Sequence, residues 1–291
     1  MDFLTGEMLL ELCKKENISI SRAMLDREKI LGGVSEETIT KKLERVWEIM
    51  RHAAKTPVDD PKSSIGGLIG GQAKGIYENM QNGNNLCGPI LSRAMAYACA
   101  TLEVNASMGL IVAAPTAGSS GVIPGVLLAY QEVKQVPDSM IYRGLLNASA
   151  IGYLLMKSAS VSGAEAGCQA EVGSASAMAA SAIVELMGGN EEQCLNAASL
   201  AISNLLGLVC DPIAGLVESP CQTRNSIGAA NALTAAEMTL AGVRFPIPFD
   251  EMAKAMLRVG KSLPFELRET ALGGCAGTAT GCSLGCDICG N

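Results

Sequence analysis

From Cys87 onward the chain consists of long runs of small residues interrupted by glycine and proline, and no other feature constrains the fold as tightly. The stretch SGAEAGCQAEVGSASAMAA (162–180) is typical, 13 of its 19 residues being Ala, Gly or Ser. Two-residue strand alternation is nearly absent, and no internal repeat is visible. Aromatic residues make up only 3% of the chain, which fits poorly with a β-sandwich and suits helices packed closely through Ala, Gly and Ser faces. The expected fold is all-α, with Gly/Ser/Cys-rich loops at the helix ends.

Helix boundaries are marked locally. Ser35 is a good N-cap followed by Glu36 and Glu37, and Ile39, Leu43, Val46, Trp47 and Met50 then share one helical face. Pro89 suits a first-turn position. Gly188 and Gly189 end one helix, and Asn190 with Glu191 and Glu192 starts the next. The segment SSIGGLIGGQAK (63–74) reads as a hinge or tight active-site loop. With 291 residues the chain can bury a full core. The expected organisation is a helical segment 1–60 packed on a main region 61–274, with a cysteine-rich tail 275–291.

A net charge of −7 and a pI near 4.9 argue against nucleic acid or an anionic membrane as partner. Residues 104–131 and 193–210 carry no charge, but prolines and polar residues divide or dilute them, so neither reads as a lipid span. Asp2, Glu7 and Glu11 interrupt the opening residues, so no signal sequence is expected there and a cytoplasmic protein is.

In that compartment eleven cysteines do not suggest a disulfide framework. Cys168, Cys210 and Cys221 each sit beside Gly or Pro at a helix break, where free backbone N–H groups can point at sulfur. Such cysteines are either cluster ligands or ordinary buried thiols. The tail holds Cys275, Cys282, Cys286 and Cys289, spaced C-x6-C-x3-C-x2-C, a metal-binding pattern on a Gly-rich loop able to wrap an ion. Its C-x3-C-x2-C portion also occurs in radical-SAM loops, which normally open a βα barrel rather than close a chain. NASMG (105–109) and the Gly/Ser/Thr run APTAGSSG (114–121) offer hydroxyls and N–H groups to a small anion such as a carboxylate, or merely cap a helix. The single histidine, His52, lies on a charged helix, which disfavours a Ser-His-Asp hydrolase and a His-rich zinc site.

These segments, with GLVCDPIAGLVESPCQTRN (207–225) and LRETALGG (267–274), resemble the α subunit of the iron–sulfur-dependent L-serine dehydratases, in family order from about residue 60 to 274. The resemblance implies that Cys168, Cys210 and Cys221 hold three irons of a [4Fe–4S] cluster and that no pyridoxal phosphate is used. The fourth, open iron would act as a Lewis acid on the serine hydroxyl. A base would take the α proton, and the resulting aminoacrylate would hydrolyse to pyruvate and ammonia. Asn105, Thr116, Ser119 and Ser120 would hold the substrate's carboxylate or amine. The base is expected from a Ser/His motif on a partner β subunit, so this chain alone should be incomplete.

The tail departs from the family pattern, in which a charged segment commonly follows GG-x-A-x-T-x-T. Cys282, Cys286 or Cys289 would gate the open iron, bind a second metal, or respond to redox chemistry. Two other functions compete with the serine reading. One is a cysteine desulfidase with a similar cluster, and the other is a non-catalytic iron–sulfur or redox protein built on the tail.

Overall fold

The computed structural model describes residues 2–290, the side chain of Cys289 excepted. Among them, 70% are helical and no sheet forms. Helices α1 (Gly6–Glu16), α2 (Ile20–Gly32) and α3 (Glu36–Asp59) open the chain. α4 (Gln72–Gln81) and α5 (Pro89–Ala106) follow the Gly-rich segment. Next come α6 (Val122–Lys134), α7 (Asp138–Ser158), the single turn α8 (Gly163–Ala166), α9 (Ser174–Leu186) and α10 (Glu191–Asn204). α11 (Cys221–Leu240), α12 (Phe249–Ser262) and α13 (Ala279–Gly290) complete the described chain. No helix among the described residues is long and apolar enough to cross a membrane.

α9 is the centre of the fold. All 13 of its residues are buried, enclosed by α6, α7, α10 and α11. A helix can be surrounded in this way only if every face is apolar or internally satisfied. The Ala residues meet the first condition and the hydroxyls of Ser176 and Ser181 meet the second, while Ser174 Oγ has no hydrogen-bond partner among the described residues. Ser181 Oγ donates to Asn147 Oδ1 at 2.7 Å, and Ser176 Oγ accepts from Asn231 Nδ2 at 2.8 Å.

Small residues also set the distance between helices. At the crossing of α5 and α6, a Cβ on Gly125 would lie 2.7 Å from the Ala94 carbonyl oxygen. A methyl group therefore cannot be added without pushing the two backbones apart.

The opening helices share this core. Ser35 caps α3 by accepting from the Thr38 N–H at 3.2 Å, and Ile39, Trp47 and Met50 are buried, with Leu43 and Val46 packed at the margin. The N-terminus of α2 rests on the buried Glu185 of α9, which accepts from the Ser21 N–H at 3.1 Å and from Asn147 Nδ2 at 2.7 Å. Pro89 opens α5, and Asn190 and Gln193 form a reciprocal capping box on α10, as their spacing predicts.

The tail differs from the ion-wrapping loop expected of its glycines. Residues 279–290 form α13, which packs on the short 3-10 turn Ile213–Gly215. Thr278 Oγ1 caps it by accepting from the Gly281 N–H at 3.0 Å. Gly281 sits against the carbonyl of Cys275, so there the glycine serves close packing within a helix.

Gly125→Ala is expected to lower the unfolding free energy by about 1–3 kcal/mol through overpacking. Gly75→Ala, on an open face of α4 with nothing within 4 Å, should leave it unchanged or raise it by about 0.5–1 kcal/mol. Urea titration of the two variants measures both.

Candidate active site

Three helix breaks bring Cys168, Cys210 and Cys221 into one buried region. Cys168 follows Gly167, whose φ of 76° needs no side chain, and precedes a π turn, Gln169–Gly173, that leads into α9. Such turns recur at functional sites because they displace backbone groups from the helical ladder. Cys210 lies in an extended stretch after α10. Its N–H donates to the Leu267 carbonyl at 2.9 Å, and its carbonyl accepts from the Glu269 N–H at 2.7 Å. Cys221 is the first residue of α11. All three are free thiols. The neighbouring Cys168 pushes the Cys210 thiol pKa up, and burial adds to the effect. Burial first and Cys168 second raise that of Cys221. Both shifts favour the neutral thiol at Cys210 and Cys221.

Buried polar side chains lock the three breaks together. The Gln169 amide accepts from the Gly207 N–H at 2.9 Å and donates to the Met256 carbonyl at 3.0 Å. Asn225, fully buried on α11, accepts from the Gly121 N–H at 3.0 Å. It also donates to the Gly118 carbonyl at 2.7 Å and to that of Cys221 at 2.9 Å. Glu218 holds the Gly-rich segment by accepting from Ser64 Oγ at 2.6 Å and from the N–H groups of Gly66 at 2.7 Å and Leu68 at 3.0 Å.

Asp211 pairs with the Arg224 guanidinium at 2.6 Å and accepts from the Cys275 N–H at 2.6 Å. Burial opposes its charge, yet those two donors hold its carboxyl below the usual range. Arg224 also donates to the Val209 carbonyl at 2.8 Å.

The hydroxyl loop reaches this region through Thr116, whose Oγ1 donates to Glu171 at 2.6 Å. Glu171 in turn lies 4.0 Å from the Cys210 sulfur. Burial raises the Glu171 carboxyl above its ordinary value, with the charge of Glu269 adding to it against the Thr116 hydrogen bond. Ser119 and Ser120 are buried, and the Ser120 hydroxyl donates to the Ala117 carbonyl at 2.7 Å. Ser119 Oγ lies 3.4 Å from the Ala114 carbonyl, so both serines brace the loop. Asn105 is half-buried in the last turn of α5.

His52 is exposed on α3, beside Arg45, Lys55 and Leu110. Cys275 abuts Asp211. Cys282 and Cys286 are exposed on α13, and the side chain of Cys289 lies outside the described residues. Among the described residues, no three His, Cys, Asp or Glu side chains converge closely enough to hold a single metal ion.

Sequence reading alone passed over Glu171, Asp211, Glu218, Arg224 and Asn225. A signal was present for Glu171, the only charged residue between 166 and 184. A lone charge in a buried small-residue run is costly unless it is used. Asp211 and Arg224 sit one and three residues from cysteines of the motif, yet their pairing requires the fold.

Residues 15–276 match the family described as serine dehydratase alpha chain. The L-serine dehydratase alpha chain of Peptoniphilus asaccharolyticus is 47% identical over 277 residues, which cover 95% of each chain. A Bacillus subtilis protein named "Probable L-serine dehydratase, alpha chain" is 45% identical over 282 residues, or 97% of this chain and 94% of that one. L-serine dehydratase TdcG of Escherichia coli is 36% identical over 281 residues, 94% of this chain but only 62% of that longer polypeptide. The all-α fold, the order of the cysteine segments and these likenesses agree, and the chain belongs to the serine dehydratase alpha chain family.

Proposed function

We propose that this chain is the cluster-bearing subunit of an L-serine dehydratase, which converts L-serine to pyruvate and ammonia with a β subunit completing the active site. The observation that carries the reading is the meeting of three buried cysteines from separate helix breaks beside a hydroxyl-bearing loop, in a chain whose relatives are named for this reaction.

The donor set suits an iron–sulfur cluster. It is all sulfur, which favours iron over hard cations. Its members come from separate chain segments, each at a helix break. Gly163 keeps a side chain away from the Cys210 sulfur, since a Cβ there would lie 3.1 Å from it. A [4Fe–4S] cluster on Cys168, Cys210 and Cys221 would supply a Lewis-acidic iron that makes the serine hydroxyl a better leaving group.

The chain's own residues bind and orient. The half-buried amide of Asn105 and the 116–120 loop would take the substrate carboxylate, the loop through backbone N–H groups that Ser119 and Ser120 hold in place. Asn225 fixes that loop relative to Cys221. The exposed His52 is far from suited to proton abstraction within this site, so the base falls to the β subunit. On the same reading, Cys282, Cys286 and Cys289 gate the site or bind a second metal, and iron content separates these roles.

Anaerobic reconstitution with iron and sulfide, followed by a pyruvate assay with and without the β subunit, tests the proposal. About four irons per chain and partner-dependent pyruvate are expected. Cys168→Ser, Cys210→Ser and Cys221→Ser should each lose cluster absorbance and activity together. Cys99→Ser, whose sulfur meets Ser226 on the α5–α11 contact, should keep both. Sulfide from L-cysteine outpacing pyruvate from L-serine would overturn the reading, as would iron that depends on the tail cysteines alone.

Asn225→Ala is expected to cost about 1–3 kcal/mol of stability and to lower kcat/KM for L-serine at least about tenfold. Asn196→Ala, which breaks a comparable bond to the Phe245 N–H at 2.8 Å remote from the cysteines, should cost stability while leaving kcat/KM unchanged. Denaturant melts and steady-state kinetics on the αβ enzyme measure both.

A further inference from the structure

We infer that Glu171 is the group that receives the α-ammonium of the amino-acid substrate, an inference that rests on the dehydratase reading above. The carboxylate stands at the meeting point of the candidate site. Thr116 Oγ1 donates to its Oε1 at 2.6 Å, and its Oε2 lies 4.0 Å from the Cys210 sulfur. Two glycines let the backbone close on it without a side chain in the way. A Cβ on Gly118 would sit 3.1 Å from Oε1, and one on Gly163 would sit 2.6 Å from Oε2. The side chain is half-buried and keeps part of its surface open to solvent.

Its charge is uncompensated. Among the described residues Glu171 forms no ion pair. Glu269, the charge that acts on it, is a second carboxylate and likewise forms no ion pair among the described residues. Of the two arginines beside the cysteines, Arg224 is committed to Asp211 at 2.6 Å, and Arg268, bridged to Cys210 through its backbone, forms no ion pair with Glu171 among the described residues. A partly buried carboxylate without a cation is unfavourable, and a zwitterionic amino acid brings the missing charge. The N⁺–H···O⁻ hydrogen bonds so formed are among the strong ones. Thr116 occupies Oε1 and fixes the rotamer, and Oε2, whose one hydrogen-bond partner among the described residues is the Cys210 thiol at the long distance of 4.0 Å, keeps acceptor capacity for the ligand. Thr116 thus becomes a positioning residue for Glu171, acting on the substrate through it.

A site built for an ammonium rejects an analogue that carries a hydroxyl in its place, because the carboxylate is then left without its partner. The test uses the reconstituted αβ enzyme under anaerobic conditions and two competitors of L-serine, L-alanine and L-lactate, which differ only in that group. The wild-type enzyme is expected to bind L-alanine about a hundredfold or more tighter than L-lactate. In Glu171→Gln this ratio should fall to within a few-fold, KM for L-serine should rise more than kcat falls, and iron content should match the wild type. Glu171→Asp should give an intermediate ratio.

An unchanged ratio in Glu171→Gln overturns the inference, and so does a changed spectrum of the substrate-free cluster with the ratio intact, which would make the carboxylate a cluster contact. If Glu171→Gln fails to assemble, Glu171→Asp decides: a ratio reduced about tenfold is expected, and a wild-type ratio overturns the inference. Absence of serine turnover in the wild-type enzyme would instead remove the dehydratase reading, so the two failures are distinguishable.

Discussion

The close approach of helix backbones is the constraint on which everything else depends. Ala, Gly and Ser occupy the contacts between α5, α6, α9 and α11, and contacts of this kind lose their attraction steeply if a small gap opens. The helix ends are therefore held at fixed separations, and the loops that carry chemistry hang between rigid posts. A core of larger side chains would bury as much apolar area, but it would space the helix ends more widely and part Cys168, Cys210 and Cys221. The fully buried α9 has no solvent face to relax into, and the π turn at its start passes that rigidity directly to Cys168 and Glu171.

Buried polar groups complete what packing begins. Asn225, Gln169, Glu218 and the Asp211–Arg224 pair each satisfy backbone groups of at least one segment distant in sequence, and Gln169 joins two. Removing one partner of such a bond leaves the other unsatisfied in a low-dielectric setting, which is the costly outcome. These residues thus specify one arrangement of loops where glycine-rich backbone alone would allow many.

Much of this was legible in the sequence. Ser35, Pro89 and Asn190 announce their helices because capping is local chemistry, and the small-residue runs announce the class of fold. The Gly- and Pro-flanked cysteines stand out for the same local reason. The distant backbone partners of Asn225 and Asp211 were not legible, because they lie 64 to 107 residues away and only the tertiary structure selects them. The tail misled for a different reason. Its glycines suggest freedom, whereas in α13 Gly281 is needed where the backbone closes on Cys275.

The bridge from Cys210 to Leu267 and Glu269, followed by the clasp of Asp211 on the Cys275 N–H, has a consequence in time. The central helices and all three motif cysteines leave the ribosome before the strap that fixes Cys210. A nascent chain can bury α9 early, yet its sulfur-lined site stays unfinished until residues 267–275 have emerged and folded back. Formation of the site is thereby tied to the emergence of residues 267–275, and without them Cys210 lacks the strap that fixes it.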